Sequence, residues 1–355
     1  MNEQWQSFIS QYPTNTLEST IDSGAALFNL SSDYALLEFT GEDAKNYLQG
    51  QLTNDINNIS NSSAQLSGYC NPKGRLLALF QIFSIDDKIY LQLPANLLAK
   101  TLKRMKMFVM MSKVEIKDVS NEWISIGLAG KNLDKLLAEH FNEMPTKLHD
   151  VVSTNGLTLI NISEPSIANV AQFQCLASIE TMQSLCSQLF DKNIKKADFN
   201  AWKTLTIKAG IPIVEEDTVE AFVPQTLNMH LINAINFKKG CYTGQEVVAR
   251  MHYLGKVKRL MYLLQFNTLT SDIQQQVKSG DSLYSPQSSS GQGAGKIVSV
   301  SSLSATDSKI MDGEIIMLAV LEVSTAAQDS IYLDEAHTVK GTILELPYSL
   351  EAEEK

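Results

Sequence analysis

An α+β architecture with a separate C-terminal β-barrel is the fold that the sequence predicts, on three observations. At 355 residues the chain exceeds one ordinary core, so several domains are expected. Up to about residue 256, strand-like alternation and helix-like stripes are mixed along the chain, as in a layered α+β protein. Beyond residue 257, short apolar runs (LMYLLQF, GKIVSV, EIIMLAVLEV, KGTILEL) alternate with Ser, Gly and Asp, the pattern of a small antiparallel barrel or sandwich. The expected divisions are 1–120, 121–256 and 257–355.

ALFNL and YALLEF read as strands, and the helix after Thr40 is expected to open on a capping box, Thr40-Gly41-Glu42-Asp43, with Ala44, Tyr47 and Leu48 buried. SAQLSGYCNPKGRLLALFQIF reads as two strands around a turn at Asn71-Pro72-Lys73-Gly74, with Cys70 at its mouth. A helix is expected from Pro94 to about Met110. Its cations Lys100, Lys103, Arg104 and Lys106 read as a solvated face rather than an RNA or anion site. A further helix is expected over about 131–141, and ADFNAWKTLTIKAG reads as a helix burying Trp202 and Leu205 and closing at Gly210.

Composition narrows the function. A net charge of −10 argues against coating nucleic acid through a general basic field. With no signal-like N-terminus and no apolar run of membrane-spanning length, a soluble cytoplasmic protein is expected. Cys70, Cys175, Cys186 and Cys241 are widely spaced, without CxxC or zinc-finger spacing, so free thiols and no metal site are expected. The glycines of SSSGQGAGKIVSV are not a phosphate loop, because Ser290 and Ile297 stand where a glycine and a hydroxyl are required. Nor is there a GxSxG, GxGxxG or HExxH motif.

The densest stretch is KKGCYTGQEVVARMHYLGKVKR, residues 238–259. Thr243-Gly244-Gln245-Glu246 reads as a capping box, followed by a helix burying Val247, Val248, Met251 and Leu254, pairing Glu246 with Arg250 and ending at Gly255. Cys241 then precedes a helix N-terminus, beside Lys238 and Lys239, and both influences favour its thiolate. From the residues alone, Cys241 is either a reactive thiol or a small residue in a tight corner. Gly240 serves either a positive φ or the close approach of a ligand.

FKKGCYTGQEVVAR closely resembles the K-G-C-Y-x-G-Q-E signature of the YgfZ family, folate-binding proteins linked to tRNA modification and iron-sulfur protein maturation. YLQGQLTNDI, YCNPKGRLLALFQIF, AGIP, FVPQTLN and LPYSLE extend the likeness from about residue 33 onward. The resemblance implies a three-domain fold like the glycine-cleavage T-protein, an aminomethyltransferase: folate-binding α+β domain, ferredoxin-like region and C-terminal β-barrel around a central pocket. It implies tetrahydrofolate or a derivative as cofactor, held by Tyr34 and Trp202 in the positions of two family tryptophans. The motif residues Lys239, Gly240, Tyr242, Gln245, Glu246 and Arg250 are expected at the same pocket, with Cys241 as the functional thiol. Where T-proteins carry an acidic pair this chain has Ala78 and Leu79, which argues against aminomethyl transfer. The function implied is an accessory protein for iron-sulfur enzymes, tRNA-modifying radical enzymes among them, with no stable nucleic-acid or membrane binding. The alternative is a folate-dependent one-carbon transferase with an unknown acceptor.

Overall fold

A computed structural model of the chain describes residues 2–16, 24–163, 170–255, 257–288, 293–303 and 313–350. The Ser290 loop and the terminal EAEEK, expected to be a flexible hairpin and a frayed tail, lie outside the described residues. The chain divides into two compact units, Met1–Gly50, Asp55–Ser67 and Phe80–Trp202 in one, Gln51–Asn54, Gly68–Leu79 and Lys203–Lys355 in the other.

In the first unit a seven-stranded sheet runs in the order 14–15, 195–197, 25–29, 123–130, 171–178, 157–161, 151–154. Alternation along the strand Ala171–Ser178 gives each of its faces a role. Phe173, Cys175 and Ala177 join the core formed with Met182, Leu185, Cys186 and Leu189 of the helix Ile179–Asp191. Leu176, on the other face, packs with Leu36, Phe83 and Tyr90 of a second, five-stranded sheet. The helix stripe has the three-to-four spacing of an amphipathic helix, and its start is fixed by Ser178, whose side chain accepts from the Thr181 N–H.

Two expected elements change at their ends. The helix after Pro94 begins as a 3-10 turn, Ala95–Leu97, and continues as Leu98–Met107, three residues short of the expected end; Met110 takes a left-handed φ of 46°. The helix expected over 131–141 is only Leu133–Leu137. The expected burial of Ala44, Tyr47 and Leu48 is observed, but no side chain caps that helix. Asp43 instead accepts from the Lys113 N–H at 2.8 Å.

In the second unit the C-terminal sheet runs 282–283, 295–303, 313–322, 259–269, 340–344, 331–332. A pair of backbone hydrogen bonds between Tyr284 and Tyr332, 2.9 Å each, joins its two edges, so the sheet is a nearly closed barrel. Register shifts at Phe266/Leu269 and Ile297/Ser299 supply the local bends that closure needs. Leu264, Phe266, Ile297, Ile315, Met317 and Ala319 fill the interior.

Candidate functional site

The motif 238–254 is built in the second unit against two other stretches of that unit. Lys239 is buried, and its ammonium donates to the carbonyls of Leu52 at 2.7 Å and Asn54 at 2.9 Å while lying 5.2 Å from the Tyr242 ring centroid. Thr53 extends the clasp, donating to Ala234 O at 2.8 Å and accepting from the Gly68 N–H at 2.7 Å. Sequence reasoning set Lys239 beside the thiol; its ammonium is committed to a segment some 185 residues away in the chain.

The second contact joins two turns. In the hairpin, Asn71 Oδ1 accepts from the Lys73 and Arg75 N–H groups, its Nδ2 donates to Glu220 at 3.0 Å, and Gly74 takes φ 70°. Gly244 takes φ 83° directly against this turn: a Cβ there would stand 2.5 Å from the Asn71 carbonyl oxygen, and one on Gly74 would stand 2.8 Å from Val247 Cβ. The expected capping box is therefore corrected. The helix spans Gln245–Leu254 with Gly244 at its cap and no side-chain cap, because tertiary fit between the two turns sets the backbone that Thr243 was expected to set. Its expected apolar face is corrected too: Val248 is buried, Met251 half-buried, and Val247 and Leu254 exposed.

Between these two anchors lies Gly240-Cys241. Both residues are exposed, and a Cβ added to Gly240 meets nothing within 4 Å. Gly240 lacks a positive φ, so neither conformation nor crowding in the fold requires glycine there. Cys241 is the one exposed cysteine of the four. Burial pushes the Cys70 and Cys175 thiols up to about 12 and that of Cys186 well above its usual value. Tyr242 is buried, Gln245 half-buried, and Lys238, Glu246 and Arg250 are exposed. Among the described residues no three His, Cys, Asp or Glu side chains are grouped to hold a metal. No described helix is long and apolar enough to cross a membrane.

The two aromatic candidates both lie in the first unit. Tyr34, half-buried, meets the Phe199 ring edge-on at 5.6 Å, and Phe199 lies three residues before Trp202 on the helix Phe199–Lys208. Trp202 is only 3% exposed, its ring laid over Gly127 and 5.2 Å from Phe28. Sequence reasoning missed Gly127 and Phe199; a glycine inside the strand WISIGLAG was the available sign of a close approach. Tyr34 also lines a crevice with Ser31, Gln92, Trp123 and Ser125, where the Gln174 amide donates to Gln92 and to Ser125. Ala78 and Leu79 are both buried, the apolar character expected from the sequence.

This fold is the one found in glycine-cleavage aminomethyltransferases. Residues 15–162 match the GCVT N-terminal domain. The solved aminomethyltransferase T of Bartonella henselae superposes with a TM-score of 0.73 over 95% of this chain and 90% of its own, at 15% identity. Among curated proteins, the tRNA-modifying protein YgfZ of Pectobacterium carotovorum subsp. carotovorum is 31% identical over 318 residues, 90% of each chain. That of Yersinia enterocolitica is 33% identical over 322 residues, 90% of this chain and 91% of the relative. The chain belongs to the YgfZ family.

Proposed function

We propose that this chain is a folate-binding accessory protein that acts in tRNA modification by supporting iron-sulfur enzymes through the Cys241 thiol. The relatives named tRNA-modifying protein YgfZ, similar over nine-tenths of the chain, support the tRNA modification role. The observation that carries the thiol's part is the division of labour inside the motif. Lys239 and Gly244 are used by the fold, whereas Gly240-Cys241 is exposed and unobstructed, open to a partner. One sulfur does not complete an iron-sulfur site, so a cluster held at Cys241 would need further ligands from a partner protein, a second cysteine or a small thiol.

Tetrahydrofolate suits the aromatic pair only in part. The crevice beside Tyr34 encloses about 10 Å³ and takes no ring, so a folate would lie against the half-buried Tyr34, which Phe199 meets edge-on. Folate, when bound, supplies a carrier of one-carbon units. Calorimetric titration of tetrahydrofolate into the purified chain tests this part: binding is expected, and Tyr34→Ala weakens it about tenfold. Absent binding, or affinity unchanged in that variant, rejects the assignment.

The second reading, a one-carbon transferase, draws on the aminomethyltransferase fold. Buried Ala78 and Leu79 weigh against it, because no carboxylate stands there to stabilise charge on the folate nitrogen. Turnover of methylene-tetrahydrofolate by the purified chain with cell extract would favour it.

A further inference from the structure

Four of the eight large exposed hydrophobic residues among the described residues fall within five positions of the first unit: Met107, Phe108, Met110 and Met111, at 67, 45, 87 and 96% exposure. This tip is presented from fixed ends. On one side the Tyr47 hydroxyl donates to Met105 O at 2.7 Å; on the other, Lys113 N–H donates to Asp43, and Gly41, at φ 106°, sits against the Lys113 carbonyl. Met110 holds its left-handed φ between them, a conformation costly for a residue with a long side chain.

The flank is cationic. Lys103 and Lys106 enter no ion pair among the described residues, and the Arg104 guanidinium lies 5.5 Å from the Phe108 ring centroid. A local cationic, apolar patch on a chain of net charge −10 selects among partners. An RNA backbone offers the three methionines no apolar surface to bury against, and an anionic membrane, which does offer one, repels the rest of a chain of net charge −10. A protein groove with an apolar floor and a carboxylate rim satisfies both parts of the patch within one small contact, and methionine adapts well to such floors.

We propose that Met107–Met111, with Lys103, Arg104 and Lys106, is a docking surface for a partner protein that presents an acidic-rimmed apolar groove. The inference does not depend on Cys241 or folate, and its test leaves both untouched. The probe is the full chain carrying the photo-crosslinker benzoylphenylalanine in place of Phe108, irradiated in cells; the protein found in the adduct is then purified uncrosslinked and titrated against the parent chain. The expected result is a discrete protein adduct, and an affinity of the captured protein for Met110→Asp with Met111→Asp, and for Lys103→Glu with Lys106→Glu, at least about tenfold below that for the parent. Binding to the parent also weakens severalfold between about 50 and about 300 mM salt. Met110→Gln with Met111→Gln, which keeps the charge, is the second apolar variant and is expected to weaken binding as well. No adduct, adducts only with RNA, lipid or a second copy of the chain, or binding of the aspartate and glutamate variants within twofold of the parent overturns the proposal.

Discussion

Desolvation decides what the buried cysteines and His149 can do. Cys70, Cys175 and Cys186 sit where desolvation holds the thiol protonated, so only Cys241 is open to reagents in the native state. Labelling the folded chain with a maleimide is expected to add one group, at Cys241, and three more only after denaturation; rapid native labelling of two or more sites would contradict this. His149 is half-buried, and desolvation of its imidazole lowers its pKa from 6.5 to about 4. The folded form therefore resists a proton that the unfolded chain accepts. Stability is complete above about pH 6.5 and declines as pH falls toward about 4, by about 3 kcal/mol in all from this group. Because His149 takes φ 69°, His149→Asn is the compatible replacement, and its unfolding midpoint should fall less steeply over that interval. Equal slopes for both chains would remove His149 from the account.

Elements were legible wherever a period and local chemistry agreed. The helix Phe199–Lys208 buries Trp202 and Leu205 as its spacing implies, and the Asn71–Gly74 turn forms between its two strands. Local signals failed where contacts distant in sequence took over. The capping box at Thr243 gave way to the fit of Gly244 against Asn71, and Lys239 went to the Leu52 and Asn54 carbonyls. Helix periodicity ran past Met107 because the apolar residues that extend it form the exposed tip instead. The glycines of the motif divide accordingly. Gly244→Ala is expected to destabilise by at least about 2 kcal/mol through its φ and the Asn71 contact, whereas Gly240→Ala stays within about 1 kcal/mol of the parent. Chemical denaturation measures both, and equal losses would mean that Gly240 serves the fold.

At the scale of the whole molecule, the composition, the C-terminal strand pattern and the family motifs anticipated the α+β fold and its nearly closed barrel. They did not reveal how the motif is held, because the clasp from Leu52–Asn54 and the turn at Asn71–Gly74 come from remote parts of the chain. The resulting arrangement spends its buried cation and positive-φ glycine on the fold and leaves one thiol exposed. That thiol is the centre of the functional proposal, and a genetic rescue measures its role most directly. In a strain lacking the protein, tRNA thiomethylation is quantified by mass spectrometry after supplying either the parent chain or Cys241→Ala at matched soluble levels. The parent is expected to restore the modified nucleoside and Cys241→Ala to leave it near the deficient level; equal restoration by both would contradict the account.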